Sequence, residues 1–105
     1  LMERSLVVKA PGALRDLRAI YARIVLDGGP ARAKSIFRAL DETIERLARR
    51  PLLGPERVDL PDQLHSFSFR RWTIFHRPLP DGSGVIVLRI LDSRRDISAL
   101  LGKKT

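Results

Sequence analysis

LHSFSFRRWTIFHRPLPDGSGVIVLRILD, residues 64–92, decides the fold. Three runs rich in β-branched and aromatic residues, Leu64 to Phe69, Trp72 to Arg77 and Val85 to Asp92, are separated only by turn chemistry. Arg70 and Arg71 leave room for one tight turn, and Pro78 to Gly84 (PLPDGSG) is dense in turn residues, so an antiparallel meander is predicted. Upstream the period changes. Leu14, Leu17, Ile20, Tyr21, Ile24 and Val25 recur at three- and four-residue spacing, which predicts an amphipathic helix from Ala13. Ala33, Ile36, Phe37, Leu40, Ile44 and Leu47 form the stripe of a second helix. Gly28, Gly29 and Pro30 fit the turn between them, and Arg49, Arg50 and Pro51 fit the end of the second. Ser5 to Ala10 alternates like a short strand that Pro11 and Gly12 terminate, and Pro51 to Asp62 reads as an ordered surface connector. The order β-α-α-β-β-β predicts an α+β fold, with a helical hairpin packed on one face of a mainly antiparallel sheet. Residues 1–105 are expected to form a single domain, with Leu1 a cloning remnant and residues 103–105 a frayed tail.

Composition narrows the function classes. Of 105 residues, 44% are hydrophobic, enough to build a core and to exclude disorder over most of the chain. Lys plus Arg number 20 against 12 Asp plus Glu, a net charge of +8, and most of these bases are arginine, the side chain that clamps carboxylates and phosphates with two bonds. An anionic partner is expected. With no cysteine, disulfide scaffolds, thiol catalysis and Cys-ligated zinc are excluded. No stretch approaches the roughly 20 apolar residues of a membrane span and no apolar signal core is apparent, so a cytoplasmic protein without a membrane partner is expected.

The last strand is apolar on both sides, with Ile86, Leu88 and Ile90 on one and Val85, Val87, Arg89 and Leu91 on the other. Strict alternation then leaves Val87 and Leu91 beside Arg89 on the face away from the helices, open unless the connector or the tail covers it. Arg70, Arg71, Arg77, Arg89, Arg94 and Arg95, interleaved with Trp72, Phe75 and His76, make a surface suited to RNA or to an acidic peptide. A solvated basic face, with Trp72 in the core, is the plainer alternative.

Catalytic candidates are few. His76 could move a proton while Arg89 and Arg95 hold phosphate charge, the minimum for cleaving RNA. Without cysteine or HExxH spacing, neither a metal site nor a cofactor is expected. Gly82, Ser83 and Gly84 lack the strand-to-helix setting of a nucleophile elbow and read as a hairpin turn, while Asp41, Glu42 and Glu45 belong to an exposed helical face.

Four segments in order, KAPGALRDLRAIY, LARRPLLG, LHSFSFRRWTIFHRP and VIVLRILDSRRDI, resemble the ParE branch of the RelE/ParE toxins of bacterial type II toxin-antitoxin modules, over about Val7 to Leu101. Arg89 followed by Arg95 and Asp96 is similar to the family's terminal signature. The resemblance implies a toxin that arrests growth by inhibiting DNA gyrase, as in plasmid stabilisation, without catalytic residues of its own. It implies neutralisation by a cognate antitoxin with an acidic or amphipathic C-terminal segment, and contact with DNA only through that antitoxin. RelE-type relatives instead cut messenger RNA on the ribosome, for which His76, Arg89 and Arg95 are the candidates. This chain departs from the family pattern at Ala10, where Ser or Thr would cap the first helix, and at His65, Trp72, His76 and Asp92. Arg70, Arg71, Trp72, Arg77, Val87, Arg89, Leu91, Arg94 and Arg95 are the expected contacts to antitoxin or target, with Trp72 as an apolar anchor.

Overall fold

A computed structural model describes residues 5–103; Leu1 and residues 104–105 lie outside that range. The elements are β1 (Leu6–Lys9), α1 (Pro11–Gly28), α2 (Pro30–Arg49), β2 (His65–Phe69), β3 (Trp72–Pro78), β4 (Gly84–Asp92) and α3 (Ile97–Leu101). The two long helices form a hairpin against one face of a four-stranded sheet of order β1-β4-β3-β2. Strands β2, β3 and β4 make the expected meander, and β1 joins its edge parallel to β4, completing an α+β fold. Gly84 lets β1 approach, because a Cβ there would collide with the Leu6 backbone.

Helix α1 starts at Pro11, two residues earlier than its apolar period indicates. Proline belongs in a first turn, where its missing N–H would have had no helical partner. Ala10 occupies the cap position and supplies no side-chain bond, as its identity implies. Gly29, at φ 86°, both closes α1 and opens α2. Tyr21 and Phe37 lock the hairpin edge to face, with ring centroids 5.0 Å apart.

Two apolar clusters hold the fold. The larger lies between hairpin and sheet, where Leu40, Ile44 and Leu47 meet Ile74, Val85, Val87 and Ile90. Each such buried side chain contributes about 1.5–3 kcal/mol of transfer free energy. On the sheet's other face, Leu60 and Leu64 of the connector join Phe75 and Leu91, with Leu88 and the α3 residues Ile97, Leu100 and Leu101 packed around them.

Helix α3 is absent from the sequence-based expectation. Asp96 caps it by accepting a hydrogen bond from the Ala99 N–H at 3.2 Å, and Gly102, at φ 88°, ends it.

The face expected to stay open is corrected in two respects. Phe75 pairs with Arg89 but His76 pairs with Val87, so β4 carries one extra residue, Leu88, at a bulge. The bulge breaks the alternation: Val87 falls on the helix side in the main core, while Leu91 remains on the far face. There connector and α3 bury Leu91 to 2% exposure. The part of that face left open lies at β1, where Leu6 and Val8 are 52% and 42% exposed beside half-buried Ile86.

Candidate functional site

His76 lies on β3, in alternation with Trp72 and Ile74 on the helix side, and is fully buried. Its ring stacks on His65, with centroids 5.9 Å apart, and the His65 Nδ1 lies 3.0 Å from the Gly54 carbonyl oxygen of the connector. Among the described residues, neither His76 nitrogen finds a hydrogen-bond partner. Burial, and secondarily the neighbouring His65, push its pKa down to about 4, while the Leu53 backbone counters this least and closes no bond. The imidazole is therefore neutral at physiological pH and out of reach of a substrate.

Arg89 is committed elsewhere. Where β1 ends, α1 takes over the exposed edge of β4 through Asp16. That carboxylate accepts from the Ile90 N–H at 2.9 Å and from Arg89 Nε and Nη2 at 2.7 and 3.0 Å. The two-pronged pair raises the Arg89 pKa and places its guanidinium against α1. Arg95 is exposed and borders a shallow hollow with Asp16, Arg23 and Arg71. The three residues suited to a ribonuclease are thus a buried neutral ring, a carboxylate-bound arginine and a surface arginine. Ser83 Oγ donates to Asp81 at 2.6 Å inside the β3–β4 turn, as a hairpin requires.

The binding candidates divide similarly. Val87 and Leu91 are core residues, and Arg77 is half-buried with Nη1 3.5 Å from the Asp62 carbonyl oxygen. Trp72 is 8% exposed, and the Arg71 guanidinium sits over its ring at 5.3 Å. Arg70, Arg71, Arg94 and Arg95 are exposed at one end of the sheet. Asp92 lies among them, 3.2 Å from Arg94 and 3.3 Å from Arg71. Hydrogen bonds from Arg94 lead the causes that hold its carboxyl near pKa 2.

At that end the β2–β3 turn meets the tip of the helical hairpin, enclosing a cleft of about 540 Å³. Ile24, Ile36 and Trp72 form an apolar floor, and Arg23, Arg32, Arg70 and Arg71 stand around it. Asp27 lines it too, but is bound to Arg23 at 3.0 Å. Arg70 holds a left-handed backbone, φ 54°, where glycine or asparagine would be relaxed. Arg23 and Arg32 escape sequence analysis because on a helix they are ordinary polar-face residues; only packing brings them to the turn.

Among the described residues, no helix is long and apolar enough to cross a membrane. Residues 7–97 match the family model described as ParE toxin of type II toxin-antitoxin system, parDE. Toxin ParE3 of Caulobacter vibrioides is 32% identical over 99 residues, covering 94% of this chain and 97% of that protein. The structure titled Chromosomal ParDE TA system from P. aeruginosa superposes with a TM-score of 0.69 at 21% identity, covering 85% of this chain and 96% of the other, and so shows the shared fold.

Proposed function

Because the chain belongs to the ParE toxin family of type II toxin-antitoxin systems, and is thereby a toxin paired with a cognate antitoxin, we propose that its target is DNA gyrase. It acts in the cytoplasm as one toxin domain, binding gyrase and blocking supercoiling until the antitoxin displaces it or holds it off. Contact with DNA passes through the antitoxin. The observation that carries this over messenger RNA cleavage is the disposition of His76 and Arg89. A general acid-base group must come within hydrogen-bond reach of its substrate, and His76 is sealed in the core. A phosphate clamp needs a free guanidinium fork, and Asp16 occupies that of Arg89.

Binding to a protein target needs only a presented surface. Arg70, Arg71, Arg94 and Arg95 with the edge of Trp72 provide a cationic one, and Leu6, Val8 and Ile86 an apolar one. Topoisomers of a reporter plasmid, resolved on a chloroquine gel after induction in growing cells, test the proposal. A shift toward relaxed plasmid is expected; unchanged supercoiling with codon-linked cuts in messenger RNA contradicts it.

A further inference from the structure

We propose that the outer edge of β1 pairs with the same edge of a second copy of this chain, joining two four-stranded sheets into one across a twofold axis at Val7. The chain covers the other sheet edges itself. Along β2 the connector does so: Glu56 bridges to His65, the Ser66 N–H donates to the Pro55 carbonyl oxygen at 3.0 Å, and the Arg57 N–H donates to that of Leu64 at 2.7 Å. Beyond the end of β1, the Asp16 carboxylate accepts from the Ile90 N–H of β4. Among the described residues, no backbone group pairs with the outer edge of β1.

The register follows from which backbone groups face outward. In the parallel ladder with β4, the Leu6 and Ala10 N–H groups donate to the Ser83 and Val87 carbonyl oxygens at 2.9 Å each. Leu6, Val8 and Ala10 therefore turn their bonds inward, and Val7 and Lys9 turn theirs outward. An antiparallel partner must set outward-facing residues opposite one another. Val7 against Val7 of the second copy does this and carries Ser5 against Lys9 with it, each pair exchanging both N–H···O bonds. A shift that sets Val7 against Lys9 instead brings Pro11, which has no N–H and begins α1, opposite Ser5.

The side chains make the edge self-complementary, which selects a second copy among extended partners. Leu6 and Val8 are 52% and 42% exposed on the face away from the helices. In the Val7-centred register Leu6 of one copy lies directly against Val8 of the other, with Ile86 behind them on β4. Edges protected against pairing carry charge or proline. Here the one cation of β1, Lys9, alternates onto the face of Val7 and sits roughly 14 Å along the strand from Lys9 of the second copy, beyond a Debye length of about 8 Å. Antiparallel pairing also sends the arginine-bearing ends of the two β4 strands in opposite directions, so the net charge of +8 on each copy is not gathered at the contact. The apolar patch stays outward-facing and becomes continuous across the axis.

This inference is independent of the gyrase target and is read with the chain alone. Sedimentation velocity over roughly 1 to 100 μM should show a monomer passing to a dimer with a dissociation constant on the order of 10 μM, the weak end expected of a short interface. Leu6→Lys with Val8→Lys should raise that constant tenfold or more at an unchanged thermal midpoint, while Leu26→Lys with Val58→Lys, the same change at residues 81% and 71% exposed elsewhere, should leave it within about twofold. Because the chain has no cysteine, cross-linking checks the register even if the lysine variant fails to fold. Leu6 and Val8 of opposite copies stand at a Cα separation of about 4.5 Å, within disulfide reach, whereas Leu6 and Leu6 stand roughly 8 Å apart. An oxidised mixture of Leu6→Cys and Val8→Cys chains should therefore form disulfide dimers that neither variant forms alone. A native chain that stays monomeric at 100 μM, equal weakening by both lysine pairs, or cross-linking of either single variant as fast as the mixture would each overturn the proposal.

Discussion

Lowering the pH from 7 to 5 should cost this protein about 2 kcal/mol of stability through His76 alone. The folded pKa is held near 4 against an ordinary value of 6.5, chiefly by burial and then by His65. In that window the unfolded chain binds a proton that the folded chain refuses, so stability falls as pH falls, and the slope approaches about 1.4 kcal/mol per pH unit. Below pH 4 the folded ring protonates as well and the loss levels off at about 3 kcal/mol. For a domain with roughly 5–15 kcal/mol in total, such a loss moves a urea midpoint by about 1 M. The assay is urea unfolding followed by circular dichroism at steps between pH 7 and 5, above the main titration of the carboxylates. His76→Leu removes the titrating ring and two unpaired buried nitrogens while keeping an apolar filling. The variant should show a nearly flat profile and match or exceed the native chain at pH 5. An equally steep profile in His76→Leu would refute the assignment and place the acid sensitivity elsewhere.

Asp16→Ala leaves the Ile90 N–H without its acceptor and Arg89 without its clamp, so a loss of about 2–3 kcal/mol is expected in the same assay. Adding Arg89→Ala should cost less than the sum of the two changes, because the two residues share one pair. Gly84→Ala forces β1 from β4 and should lower stability by about 3 kcal/mol, with hydrogen exchange accelerated along Leu6–Lys9. Arg70→Gly should stabilise the chain by up to about 1 kcal/mol, read as a raised thermal midpoint; a clear loss would show that the turn gains from arginine structurally.

Both long helices and the β2–β3–β4 meander could be read in advance, since their periods of 3.6 and 2 and their Gly, Pro and paired-arginine boundaries survive into the fold. Strand β4 could not. A strand apolar on both sides gives no signal of where an extra residue enters, and the bulge at Leu88 separates Val87 from Leu91 across the sheet. Helix α3 went unread, although Asp96 caps its start and Gly102 ends it. Its brevity hides the periodicity, yet its Ile97, Leu100 and Leu101 help seal the face expected to stay open. Among the candidate site residues, exposure at Arg70, Arg71, Arg94 and Arg95 follows from their place in turns. Burial of His76 and the pairing of Arg89 with Asp16, 73 residues away, follow from tertiary contacts that no local pattern encodes.

As proposed, this chain stops supercoiling by holding gyrase rather than by a reaction of its own. Plasmid supercoiling by purified gyrase, titrated with the purified chain, addresses it most directly. Inhibition at micromolar chain, retained in His76→Leu, is the predicted result. Full supercoiling at saturating chain, with the chain folded, would contradict it.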